Sequence, residues 1–152
     1  MKTRLVLLIA LLPACFLSAQ VEWKGGTPGQ ETNWFCPQNW SDNRIPDDFD
    51  NVIVPDCSSK GNFYPVIGHK TARVQSLTLH SSARLSIGKN GKLSVLGFGL
   101  PQGALVNLGT LDNNGTLEVI EPVLHALDIS GTGVLIHTRS ATAPEQAGMG
   151  KL

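Results

Sequence analysis

Charge of one sign is missing from this chain: 12 Lys and Arg stand against 12 Asp and Glu. Without a basic surplus to neutralise phosphates or anionic headgroups, the composition points to no nucleic-acid partner and no anionic membrane surface. Aromatic residues are scarce, at 6%. No long apolar run occurs after the N-terminal segment, so no membrane span is expected once that segment is removed. Helical periodicity is missing as well: Val123–Ala126 is too short and follows Pro122. His69, His80, His125 and His137 are scattered and form neither His-x-His nor the zinc-protease pattern. No serine sits in a Gly-x-Ser-x-Gly elbow and no phosphate loop is present. The reading is therefore of a protein that is not an enzyme, with no catalytic residues, no metal and no cofactor.

Cysteine is nearly absent too, at Cys15, Cys36 and Cys57. Cys15 lies in a segment with a basic start (Met1-Lys2-Thr3-Arg4), an apolar run and small residues near Ser18-Ala19, which reads as a secretory signal over residues 1–19. An N-terminal anchor helix is one alternative. Another is lipidation of Cys15, since Leu12-Pro13-Ala14-Cys15 is a weak lipobox. Export leaves an even pair, Cys36 and Cys57, most simply a disulfide that would stabilise by roughly 3 kcal/mol in the chain-entropy model. Two buried free thiols are the alternative.

What is abundant is a beat. From Val74 to Ile136 apolar residues straddle a single residue repeatedly: Leu77/Leu79, Leu85/Ile87, Leu93/Val95, Leu117/Val119, Leu127/Ile129, Val134/Ile136. Period two marks strands with one buried face, and the Gly, Asn and Ser between them are turn residues. Upstream, Val21–Trp23 and Asn51–Val54 read as further strands, the second with Val52 and Val54 inward. Asp47, Asp48 and Asp50 lack the central Gly and closing Glu of a calcium loop and read as a solvated acidic turn. Gly97–Gly103 reads as an inserted loop. Strands this short, recurring every eight residues or so with like inward pairs, favour stacked rungs over a sandwich of hairpins. The fold expected is all-β, a short parallel β-helix or β-solenoid with an aromatic N-terminal cap region. Its divisions are a signal at 1–19, a Trp-rich cap with the first strands at 20–73, rungs at 74–138 and a disordered tail at 139–152.

Trp34, Asn39-Trp40, Ile45-Pro46, Asn51-Val-Ile-Val-Pro55 and the Leu-x-Leu, Leu-x-Ile and Leu-x-Val beats that follow resemble a module common in large cell-surface proteins of bacteria that use type IX secretion. They are similar to short right-handed parallel β-helix segments of adhesin-like proteins. The resemblance covers Trp23 to Ile136 and implies a right-handed coil, a secreted or outer-surface location, and a role in display or adhesion. It brings no catalytic residues. A C-terminal sorting domain, usual in that family, is not visible here, which leaves a periplasmic location open.

Three functions follow as expectations. The first is a non-enzymatic structural or adhesion module holding extended polysaccharide or a surface protein. The second is a small carbohydrate-binding domain that stacks sugars on Trp23, Trp34 and Trp40. Against it stands the reading that these rings plug the end of the core, since large aromatics are seldom left uncovered. The third is a polysaccharide-degrading β-helix enzyme, whose outward candidates would be Asp112, Glu118, Glu121 and Asp128 with Arg84 and Lys92.

Overall fold

The computed structural model describes residues 20–98, 100, 104–120, 123–124 and 129–138, with the side chains of 123 and 124 omitted. The expected signal, Cys15, Glu121, His125, Asp128 and the expected tail lie outside the described residues.

Thirteen short strands make up the described fold: β1 (Gln20–Glu22), β2 (Asn51–Val54), β3 (Val66–Ile67), β4 (Thr71–Val74), β5 (Ser76–Leu79), β6 (Arg84–Ile87), β7 (Lys92–Val95), β8 (Leu105–Asn107), β9 (Thr110–Asn113), β10 (Thr116–Val119), β11 (Val123–Leu124), β12 (Ile129–Ser130) and β13 (Val134–His137). Helix is limited, among the described residues, to two single 3-10 turns, Pro37–Asn39 and Ser58–Lys60. The strands form three sheets, ordered β1-β2-β5-β8-β11, β3-β6-β9-β12 and β4-β7-β10-β13. Every strand pairing is parallel. From β2 onward, each successive trio of strands gives one member to each sheet.

Register puts like beside like. Val52, Leu77 and Leu105 are neighbours in the first sheet, Leu85, Leu111 and Ile129 in the second, and Leu93, Leu117 and Leu135 in the third. Val74, Val95 and Val119 form a parallel column beside the last of these. Except at the β12 and β13 members, these side chains are buried in one core cluster. Each Leu-x-Val pair contributes roughly 3–6 kcal/mol before chain entropy, and only because its neighbours exist on both sides.

The eight-residue beat has a different meaning from the one the sequence suggests. Leu77, Leu85 and Leu93 do not lie on one another; they stand in three different sheets. Eight residues is the step from one sheet to the next, a four-residue strand plus a corner. The step to the neighbour within a sheet is longer and variable: 25 positions from Asn51 to Ser76 and 24 from Ser94 to Glu118, and the later corner contact from Asn114 to Thr132 spans 18.

Corners explain the Asn and Gly content. Asn113 turns its side chain inward, accepts from the Gly115 N–H at 3.2 Å and donates to the Val134 carbonyl at 3.0 Å, tying one layer to the next. A Cβ on Gly115 would strike the carbonyls of both Gly88 and Gly91, so close layer packing at this corner excludes any side chain.

The expected division at residue 73/74 falls inside β4, and β1–β4 belong to the same sheets as the later strands. What sets the N-terminal part apart is its lid. Trp40 packs edge-on between Trp23 (4.9 Å between ring centroids) and Trp34 (4.7 Å). Asn39, fully buried, holds the lid's backbone: its amide donates to the Gln30 carbonyl at 2.6 Å and the Asn33 carbonyl at 3.1 Å, and accepts from the Thr27 N–H at 3.0 Å. The acidic turn is not simply solvated, as expected, but paired. Asp50 is buried and held by both arms of Arg44, at 2.6 and 2.5 Å, while Arg73 grips Asp48 at 2.9 Å. An unpaired carboxylate at the Asp50 position would be costly, so Arg44 is part of the fold.

Candidate functional site

The tryptophans do not form a stacking platform; of the two readings weighed from the sequence, their burial in the core cluster agrees with rings that cover the core. Trp23, Trp34 and Trp40 are each 0% exposed. Two of the indole N–H groups are spent internally, Trp23 on the Phe63 carbonyl at 2.7 Å and Trp40 on the Trp34 carbonyl at 2.8 Å. Their edge-to-face packing consumes the very faces a sugar would need.

The Cys36–Cys57 disulfide is also not formed: both residues are free and buried. The pair is separated by function in the fold. Cys57 belongs to the core cluster just after β2, its thiol near the Pro55 carbonyl at 3.6 Å, whereas the Cys36 thiol faces Gln38 Oε1 at 3.3 Å on the lid. Burial pushes the Cys57 thiol above its ordinary range, so it stays protonated and is a poor nucleophile.

The remaining candidates from the sequence are dispersed or engaged. Asp112 accepts from Asn114 at 3.0 Å in its own turn. Glu118 is clasped by Lys92 at 2.9 Å and Ser94 at 2.8 Å across the β7–β10 pair, and these partners, Lys92 first, hold its carboxyl below the usual range. No group of three or more His, Cys, Asp or Glu among the described residues could hold a metal ion.

A concave polar site exists elsewhere. A cleft of about 510 Å³ is lined by Asp56, Ser58, Asn62, Tyr64, Ser82 and Arg84. The segment between β2 and β3 supplies four of these residues; the β5–β6 corner and the start of β6 supply the rest. Asp56 opens the short 3-10 turn and accepts from the Ser58 N–H at 2.9 Å, the Ser58 hydroxyl at 3.0 Å and the Tyr64 hydroxyl at 2.8 Å. These bonds, the Ser58 N–H foremost, keep its carboxyl ionised below the usual range. Tyr64 accepts in turn from the Cys57 N–H at 3.1 Å, and burial, then the bond to Asp56, pushes its phenol up. Arg84 is exposed and forms no ion pair with any described residue. A second cleft of about 310 Å³ lies by β3, lined by Gln30, Glu31, Asn33, Phe35, Val66 and His69 among others.

Chemically, the first cleft offers a fixed carboxylate acceptor, hydroxyls and an exposed guanidinium. That set suits a hydroxyl-rich or anionic chain. Glycoside hydrolysis in its usual form needs two carboxyl groups roughly 5–9.5 Å apart, one of them protonated; Asp56 is the one carboxylate among the residues named for this cleft, and it is held ionised. Of these residues only Arg84 was picked out by sequence; Asp56 and Tyr64 meet through an irregular loop that leaves no periodic trace.

No family model, characterised protein or solved structure matches this chain.

Proposed function

We propose that the three sheets are the walls of a short right-handed parallel β-helix that acts, without turnover, as a secreted or cell-surface display and adhesion module for extended polysaccharide. The observation that carries this reading is the uninterrupted parallel register of the three sheets. Walls of this kind are flat and stiff over several strand spacings, so a long ligand can lie along them without ordering the protein. The cleft at Asp56, Tyr64 and Arg84 adds directional polar contacts at one edge of such a wall. A surface protein is the other extended partner of matching shape. Export by removal of residues 1–19, with passage to the outer surface, belongs to the same proposal. Among the described residues no helix is long and apolar enough to cross a membrane.

The experiment is a pull-down of the mature protein on a panel of neutral and acidic polysaccharides, with analysis of the supernatant. Retention without new soluble oligosaccharides is expected, and Arg84→Ala should weaken retention on the acidic members. Release of oligosaccharides by the protein would overturn the non-enzymatic reading; retention on no member of the panel would overturn the glycan-binding one.

A further inference from the structure

The cleft at Asp56 and Arg84 has a surplus of hydrogen-bond donors. Its acceptor oxygens are already engaged: Asp56 accepts from the Ser58 N–H, the Ser58 hydroxyl and the Tyr64 hydroxyl, and the Tyr64 oxygen accepts from the Cys57 N–H. Its donors are not. The Arg84 side chain is exposed and forms no hydrogen bond or ion pair with any described residue, and the side chains of Asn62 and Ser82 form none either. A guanidinium offers five N–H groups and accepts nothing. Lys60, exposed and without an ion pair among the described residues, stands in the chain between the lining residues Ser58 and Asn62. Against these two cations the cleft sets one acid, Asp56. Asn62 (φ 59°) and Ser82 (φ 66°) are two of the three non-glycine residues with positive φ among the described residues. Such conformations persist only where the surroundings hold them, so these two side chains are presented in set directions.

Resting on the glycan-binding reading above, we infer that this cleft takes the carboxylate of a uronic acid within an acidic polysaccharide, with the Arg84 guanidinium forking the two carboxylate oxygens. A planar two-point match of this kind is what a guanidinium forms with a carboxylate and an ammonium does not. Charge density narrows the ligand further. A polyphosphate or heavily sulfated chain calls for a basic stripe. Here the sheet neighbour of Arg84 is Thr110, and in the adjoining column Ser86 is followed by Asp112. A chain with few anions and many hydroxyls fits that surface. An extended peptide would add to a strand edge, but β6 is paired with both β3 and β9, and β3 is bridged on its far side by Asn33. The second cleft gives a chain something to hold beyond its charged unit. Tyr64 lines the first cleft and Val66 the second, so the two open within two residues of each other, at most about 7 Å along the backbone. Val66 and Phe35 there offer an apolar surface to the neighbouring sugars.

The test is titration of the mature protein with four probes: hexagalacturonate, the same hexamer with its carboxyl groups reduced to alcohols, a sulfated dextran oligomer and oligoglutamate. Wild type should bind hexagalacturonate at least about tenfold more tightly than the reduced hexamer, more tightly than the other two anions, and less tightly as salt is raised. Arg84→Ala should remove the preference for the charged hexamer. Arg84→Lys should restore only part of it, since the charge returns without the fork. The Arg84 side chain is exposed, so unchanged thermal midpoints are expected and serve as the folding control. Equal affinity for the two hexamers, or a full preference kept by Arg84→Ala, overturns the carboxylate site and leaves the broader glycan reading standing. Tighter binding of sulfated dextran or oligoglutamate also overturns it. Wild type binding neither hexamer overturns the site as well, and the polysaccharide panel then decides the glycan reading separately. Should Arg84→Ala fail the folding control, the Arg84 Nε–H resonance of the wild type decides: it should shift on titration with hexagalacturonate, and an unmoved resonance at saturation overturns the site.

Discussion

The two ends of the molecule solve the same problem differently. At the N-terminal end, β1 and the loop that follows it lay Trp23, Trp34 and Trp40 against the first layer, and residues beneath them such as Val52 and Ile67 are buried. At the other end, Leu135 continues the column of Leu93 and Leu117, both 0% exposed, yet is itself 52% exposed, with Val134 at 57% beside it. Leu135 holds the same inward position in β13 as Leu93 in β7 and Leu117 in β10, although the pair named from the sequence, Val134 and Ile136, falls at the outward positions of Thr116 and Glu118, and His137 takes the column of Val119. Pattern alone therefore buries nothing; a layer is buried when something lies on both sides of it.

The sharpest way to break that contrast is to remove one large side chain at each end. Trp40→Ala should cost about 4 kcal/mol, since the cavity opens in a fully packed lid, whereas Leu135→Ala should cost about 1 kcal/mol or less because half of the side chain is already hydrated. Urea midpoints measure both, and comparable losses would show the two ends to be equally covered.

A smaller effect separates two rings within the lid. Trp40 Nε1 donates to the Trp34 carbonyl, while Trp34 Nε1 is buried without a partner among the described residues. Trp40→Phe strands a buried carbonyl; Trp34→Phe removes an orphan donor. The first variant should be less stable than the second by about 2 kcal/mol, and the opposite order of melting temperatures would contradict the hydrogen-bond assignment.

The smallest effect is electrostatic and spans both ends. The Arg73 guanidinium holds the Asp48 carboxyl below its ordinary 3.8, and Lys92 holds that of Glu118 below its ordinary 4.5. Because both are lowered by folding, their contribution is present above those ordinary values and is lost as pH falls through the lower folded ones. Exposed pairs of this kind are each worth under about 1 kcal/mol and weaken with salt. Stability should thus decline in the acid range, and Asp48→Asn and Glu118→Gln should each flatten the decline. An unchanged acid limb in both variants would remove these pairs from the account.

Much of the fold was legible because period two is a local signal. Leu77-Thr-Leu79 and Leu85-Ser-Ile87 announce their inward faces without reference to anything distant. Which strand lies beside which was not legible from the beat, because the corner lengths, not the strands, set the step from Leu93 to Leu117. The aromatic cluster could be read two ways, since a tryptophan's size suits both a lid and a ligand platform; the edge-on packing that distinguishes them depends on the Asn39 hub. The cysteines show the weakness of parity: an even count says nothing of where two backbones lie. Asp50, Tyr64 and Asp56 lie in loops, where partners such as Arg44 are chosen by chain path.

Pairing layer by layer also gives the architecture a grammar of growth. A strand trio meets only the trio before it and the trio after it, so a duplicated trio inserted between two layers would find matching hydrogen-bonding edges and aliphatic columns on both sides. No part of the tryptophan lid would need revision. Lineages can lengthen such a protein by copying what they have, and the reach of its outer faces would scale with each copy.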